Sequence, residues 1–457
     1  MKKKLLIFTG IILLAIILYV GVNLLDQSLN PNVFKLAHLP ATSFEKNNGF
    51  YLLWGLSQPK GVEVSGEKFM APFKTLFQPD TGTEMNVQRF NEDNYRSPFQ
   101  KTDEAIATIQ FPTGVMEDWF AVLGQQQAAL DQTERTCAFL LKRYRALLHS
   151  QYISDFSLPL PSIPTPPLGS FLKTIKLYTG VSIKKAMAGL WEEAAADLIT
   201  QINYGKRLNS TARELFIHLI ANATISISLE GLISLLNQPT CPGTVYSHVV
   251  AGLKPLTYEE YGCRSTFIFQ FLCFSATIDQ IGNHKNNYFF RFSFQKNTTK
   301  NYAYELYAKA IAYDTQEPYL WEKNPEQWLK EYIDSKKKSA LWFLPNRYGK
   351  GLLVMMAPAL HHVIFASWHL RMRYEMTRIL ADLHLHYRPD RNIPDILKEL
   401  DSTKTLDPGS GQPYKWNEIK QVLLSVGLNG QENVGPVSAG KYEMDVMVPV
   451  VLKKNKP

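Results

Sequence analysis

The chain begins Met1-Lys2-Lys3-Lys4 and passes directly into an uncharged run, Leu5 to Leu25, that stops at Asp26. A helix of 21 residues rising about 1.5 Å each crosses roughly the 30 Å hydrocarbon layer of a bilayer, so residues 5–25 are expected to form a transmembrane helix. Lys2, Lys3 and Lys4 are the only charges before it. The positive-inside tendency then keeps residues 1–4 as a cytoplasmic tail and sends residues 26–457 across the membrane. The competing reading is a cleavable signal peptide, with an apolar region of about 7 to 15 residues followed by small residues at the cut. The run here is longer, and YVGVNLLDQS offers no A-x-A site. The expected place is the bacterial inner membrane, with the bulk of the chain periplasmic.

About 430 residues follow the leader, more than the roughly 250–300 at which single cores stop growing, so two lobes or an elongated helical stack are expected. With 45% hydrophobic and 20% charged residues, the composition is that of a globular protein. Lys2 to Lys4 supply three of the net +8 charges, and the remainder is spread through a well-mixed body, which gives no nucleic-acid footprint. The cysteines are Cys137, Cys241, Cys263 and Cys273, without a C-x-x-C pair, which argues against thiol metal sites. In an oxidising compartment Cys241 and Cys263, both in turn-like surroundings, are the best candidates for a disulfide. The alternative is four buried or free thiols.

Along the chain, residues 26–116 read as an irregular packing segment around Phe50, Tyr51, Leu52, Leu53 and Trp54. Glu117 to His149 has helical period, with Leu130, Cys137, Leu141, Tyr144 and Leu148 on one face. Pro159, Pro161, Pro164, Pro166 and Pro167 then form a stiff connection. Ser182 to Asn237 reads as an αα-hairpin: one helix carries Leu190, Ala194, Leu198 and Ile202, a break falls near Arg207 to Ser210, and Thr211 with Glu214 opens the second helix as a capping box. The WEEAAADL segment looks like tetratricopeptide stacks, but no period near 34 residues exists. A polar stretch at 282–301 includes FFRFSF as a short strand, and helix resumes near Tyr302. Asn324-Pro325-Glu326-Gln327 places an N-cap, a first-turn proline and a capping glutamine in order. Gly351 to Tyr387 is the most apolar part of the body. Pro358, His361, His362, Arg371 and Arg373 make it a buried, kinked helix rather than a second span, with Met372, Met376, Ile379 and Leu383 inward. A helical body over 117–388 thus precedes a turn and β-hairpin cap over 389–457, where a short helix at Pro394 to Leu400 leads to tight turns and alternating strands. The fold class expected is mainly α: an N-terminal transmembrane helix, a multi-helix αα-hairpin body and a small C-terminal β cap.

Asp407-Pro408, Pro413-Tyr414, Ser425-Val426-Gly427, Asn429-Gly430 and Asp445 succeed one another as in the C-terminal region of type II secretion pseudopilins, which the last ~50 residues resemble. In the major pseudopilins that region looks like a calcium loop, so the resemblance implies ligand roles for Asn429 and Asp445. The chain departs from them elsewhere: it lacks a G-F-T-L-x-E processing site, and its helical body has no pilin counterpart. Through NNGFYLLWGL, CAFLLKRYRALL, NRYGKGLL and the D-P-x-S-G-x-P-Y-x-W stretch, most of the chain resembles an uncharacterised family of single-pass bacterial envelope (periplasmic) proteins. That resemblance implies an architecture and brings no activity with it.

The motifs of common chemistry are missing. H-E-x-x-H is absent; His361 and His362 are adjacent and diverge by about 100° on a helix, and His384 and His386 do not share a face. G-x-S-x-G is absent too, and Gly409-Ser410-Gly411 lies in a turn. Without a phosphate-binding loop no nucleotide cofactor is expected, and the pairs Glu192-Glu193 and Glu259-Glu260 read as solvated faces. No catalytic residue is assigned. The function expected is that of a membrane-anchored, non-enzymatic protein-interaction module with a partner in the envelope. The alternative is an envelope hydrolase acting on cell wall or lipid.

Overall fold

The computed structural model describes most of residues 11–18, residues 26–36, 47–56, 100–159 except 115, 168–283, 294–338, 346–400 except 358 and 389, 406–427 and 446–452, besides isolated positions. Within the leader, residues 11–15, 17 and 18 are helical, and Ile11, Leu13, Leu14, Ile17 and Leu18 are exposed. The other residues of the expected 5–25 span, and the 1–4 tail, lie outside the described residues.

The segment read as irregular contains short helices: α1 (Asn32–Leu36), α2 (Phe50–Gly55) and α3 (Gln100–Ala107). The Phe50 to Trp54 cluster packs as expected, with Phe50 edge-on to Phe156 at 4.8 Å. The helix expected over 117–149 is three helices: α4 (Trp119–Gly124), α5 (Gln127–Thr136) and α6 (Ala138–Leu148). Its inward face is nevertheless right, since Leu130, Cys137, Leu141, Tyr144 and Leu148 are all buried. Cys137 is where α5 ends and α6 begins, at φ −95 and ψ 11, so the chain bends while the apolar stripe continues.

Next come α7 (Leu168–Met187), α8 (Trp191–Thr211) and α9 (Leu215–Leu236), which pack on one another as the centre of the molecule. The hairpin exists, but its break lies at Ala212 to Glu214, later than expected. Thr211 is the last residue of α8, and its hydroxyl bonds back to the Arg207 and Leu208 carbonyls instead of capping α9. Leu190, expected inside, precedes α8 and is 47% exposed, whereas Ala194, Leu198 and Ile202 are buried. The close approach of α8 and α9 depends on Gly205, where a Cβ would stand 2.7 Å from Ile225 Cγ1.

Beyond α10 (Gly243–Gly252), α11 (Arg264–Asn283) pairs with α12 (Lys296–Thr315). Helix α12 starts within the stretch read as polar connection, six residues before Tyr302, while residues 284–293 and most of FFRFSF lie outside the described residues. The Asn324 cap is as expected: its Oδ1 accepts the Gln327 amide at 2.9 Å and opens α13 (Pro325–Lys338). The apolar segment forms α14 (Arg347–Met356) and α15 (Ala359–His386), parted at Ala357 beside the expected kink. Met372, Met376, Ile379 and Leu383 are buried, and α15 packs across α9, α10 and α12. Two stretches among the described residues, Leu215–Leu236 and Arg347–His386, are long and apolar enough to cross a bilayer. The first is the central core helix.

After α16 (Ile393–Glu399), strands β1 (Lys415–Asn417), β2 (Val422–Ser425) and β3 (Val446–Pro449) form a small antiparallel sheet in that order. All of β2 is buried, and β3 lies on α15. Asn237 at the end of α9 fastens the cap: its Nδ2 donates to Pro449 O at 2.9 Å and its Oδ1 accepts from Val451 N at 2.7 Å.

Candidate functional site

A chain of buried polar side chains runs through the core where α8, α9, α11, α12 and α15 meet. Asp314, near the end of α12, accepts from Tyr258 OH, from Cys263 N at 2.9 Å and from Cys263 Sγ at 2.8 Å. Ser367 Oγ on α15 lies 3.8 Å from Cys263 Sγ and 3.0 Å from His218 Nε2 on α9. One turn on, Asn222 Nδ2 is 3.0 Å from the same nitrogen, and Asn209 Nδ2 on α8 donates to Asn222 Oδ1 at 3.1 Å and to Glu260 O at 2.8 Å. A thiol, a hydroxyl, an imidazole and a carboxylate thus stand in contact.

The protonation states decide what this group can do. Burial, with the Asp314 carboxylate beside it, pushes the Cys263 thiol well above its ordinary value, and burial also raises Asp314 itself against the pull of its hydrogen bonds. Burial lowers His218 to about 4. A nucleophilic cysteine needs a thiolate, and a general base works best with a pKa near the operating pH. Here the thiol is held protonated and the imidazole neutral and weakly basic. As drawn, the group is a latch between helices: each hydrogen bond satisfies a group that would cost about 1–3 kcal/mol if buried alone. Neither Ser367 nor His218 stood out in the sequence, because only the crossing of α9 and α15 brings them together.

The residues singled out from the sequence are placed separately. Cys241 and Cys263, the candidate pair, are not bridged, and the alternative of four buried thiols is what the structure has, with Cys263 turned to Asp314 and Cys241 beside Tyr246. Asn429 and Asp445, the calcium candidates, lie outside the described residues. The rings of His361 and His362 are 3.8 Å apart, His384 stacks on Tyr246 at 4.6 Å, and His386 Nδ1 meets Asp382 O at 2.8 Å. Among the described residues no three or more His, Cys, Asp or Glu cluster as metal ligands. Glu192 takes a hydrogen bond from Thr244, and Glu260 pairs with Lys206 at 3.2 Å and closes a capping box with Thr257. Ser410 belongs to a turn organised by Asp407, which accepts from Gly409 N, Ser410 Oγ, Ser425 Oγ and Val426 N.

An open cleft of about 340 Å³ lies between the end of α6 and the outer face of α8, lined by Leu148, Ser150, Gln151, Thr200, Asn203 and Arg207 among others. Arg207 Nη2 donates to Leu148 O at 2.8 Å, one of the carbonyls left over at a helix C-terminus, while its Nε is buried without a hydrogen-bond partner among the described residues. No acid lines the cleft. The Ser150 and Thr200 hydroxyls in it donate to Leu147 O and Ala196 O, each at 2.7 Å. No protein-family model matches the chain, and no curated protein or solved structure is significantly similar to it.

Proposed function

We propose that this is a single-pass protein of the bacterial inner membrane whose body stands in the periplasm and works by protein contact. The observation that carries this reading is the join between leader and body. The apolar leader residues of the described helical stretch are exposed, which suits lipid far better than water. Asp26, the first residue after the uncharged run, is bonded into the body through the start of α12. The family resemblance noted above supports the same placement. The contact role draws on the Arg207 cleft, which is open, acid-free and edged by the exposed Gln151, while the reactive groups of the core are held as a latch.

Two measurements test it. The full-length chain should stay in the membrane pellet after alkaline carbonate and be released by detergent, and recovery in the soluble fraction would refute the anchor. A photo-crosslinker at the exposed Gln151 should give a discrete adduct in intact cells, and its absence, with labelling otherwise intact, would refute the contact role of the cleft.

The second reading, an envelope hydrolase acting on cell wall or lipid, is favoured by the Ser367–His218 contact. It requires that Ser367→Ala abolish turnover of such a substrate, whereas the preferred reading expects that substitution to change stability alone.

A further inference from the structure

The start of α12 is capped from two distant parts of the chain. Asp26 accepts the Asn297 and Thr298 amides at 2.7 and 2.9 Å and the Thr298 hydroxyl at 3.0 Å. A carboxylate at a helix N-terminus takes up free N–H groups and complements the positive end of the helix dipole. Asn301, on the next turn, clasps the same segment, donating to Ser28 O at 3.0 Å and accepting from Asn30 N at 2.9 Å. From the other side Asn346, in the left-handed conformation at φ 58, accepts from Gln295 N at 2.9 Å and Thr299 Oγ1 at 3.0 Å. The first turn of α12, helix α1 and the first turn of α14 are therefore one rigid corner, and the uncharged run ends at that corner.

We infer that this corner is the face of the body that rests on the lipid surface. The inference deepens the membrane reading above and rests on it. If residues 5–25 cross the bilayer, Asp26 lies at the headgroup level, and its hydrogen bonds hold α1 and α14 there as well. Both helices carry what such a surface needs. Phe34 is 64% and Tyr348 47% exposed, with Met355 exposed further along α14. Lys35 and Arg347 are exposed beside them, and neither helix contains an acidic residue. Asp26 is taken up by the α12 amides and Asp279 by Lys296 and Lys300, so the apolar side chains and basic neighbours of α1 and α14 match an anionic leaflet, where each nearby cation is attracted and each aromatic ring finds the headgroup boundary. The opposite end of α12, 20 residues and so about 30 Å away, carries Leu320 near the Asp407 turn through Tyr319 N to Pro408 O at 3.2 Å.

The test uses the full chain in vesicles of phosphatidylethanolamine and phosphatidylglycerol with brominated acyl chains. An environment-sensitive fluorophore is placed on Tyr348→Cys, on Phe34→Cys or, as the remote reference, on Leu320→Cys. All three positions are exposed, and the native thiols are buried, so the unsubstituted chain provides the background. The protein should float with the vesicles, the labels at 348 and 34 should lose emission to the bromolipids, and the label at 320 should keep it. Flotation with labels at 348 and 34 no more quenched than at 320 would overturn the docked face and leave the anchor standing. Failure of the full chain to float would overturn both.

Discussion

Asp155 holds together a point where the chain would otherwise expose several buried amides. It is buried, and its carboxylate accepts from Ser157 N at 2.8 Å, Arg213 N at 2.8 Å and Glu214 N at 3.2 Å, so a residue from the loop after α6 braces the turn that leads into α9. Asp155→Ala strands those donors and should destabilise the protein by on the order of 3 kcal/mol in denaturant unfolding, with Asp155→Asn recovering part of the loss. The neighbouring Glu214 is buried, and burial together with the Asp155 charge raises it to about 8. A carboxyl whose folded pKa lies above its unfolded value keeps its stabilising effect below the unfolded pKa, near 4.5, and loses it as pH rises through the folded one. Glu214→Gln should therefore flatten stability between about pH 5 and 8 and raise the melting temperature most at the alkaline end. Equal shifts across that range would contradict the raised carboxyl. The sequence pointed to Glu214 as a capping residue, but the cap it named used Thr211. The true acceptor is 59 positions away from Glu214, and no local pattern can reveal a partner brought in by tertiary folding.

Helix α9 is apolar on nearly every side because α7, α8 and α15 surround it. Its contact with α8 is close enough to forbid a side chain at Gly205, where a Cβ would meet Ile225 and the Ala221 carbonyl. Gly205→Ala should cost about 1–3 kcal/mol although alanine is the better helix former, because a packed crossing must open. Gly351, in the middle of α14, has open space at the Cβ position, and Gly351→Ala should stabilise by about 1 kcal/mol. Thermal unfolding of the two variants separates packing from propensity, and equal signs would contradict the geometry. Helix existence and the inward faces were legible in the sequence, since apolar period depends only on which side is buried. Boundaries were less so. The bend at Cys137 leaves the stripe from Leu130 to Leu148 unbroken, and the early start of α12 at Lys296 relies on Asp26 and Asn346, caps from outside the segment.

At the scale of the whole molecule, α15 joins the body to the C-terminal cap through Arg371. Its guanidinium pairs with Glu317 at 2.7 Å and Glu375 at 2.9 Å, touches Tyr261 OH at 3.1 Å and lies over Trp368 at 5.0 Å, while Tyr414 of the cap donates to Glu375 at 2.9 Å. Burial raises Glu375 against the pull of Arg371, so its carboxyl takes up a proton at higher pH than an ordinary glutamate, while the Arg371 guanidinium holds its own proton more firmly than usual. The mainly helical body and the small cap were legible from pattern, whereas the core latch from Asp314 to Asn209 was not, because its members come from separate helices. Under the proposed anchoring at one end of α12, with the cap near the other, the side of the membrane on which the body stands fixes where the protein can act. Ile419, at the β1–β2 turn, is 97% exposed, and an Ile419→Cys chain can be treated with a membrane-impermeant maleimide in intact spheroplasts. Labelling equal to that seen after lysis is the expected result, and labelling that appears only after lysis would place the body in the cytoplasm and contradict the proposed role.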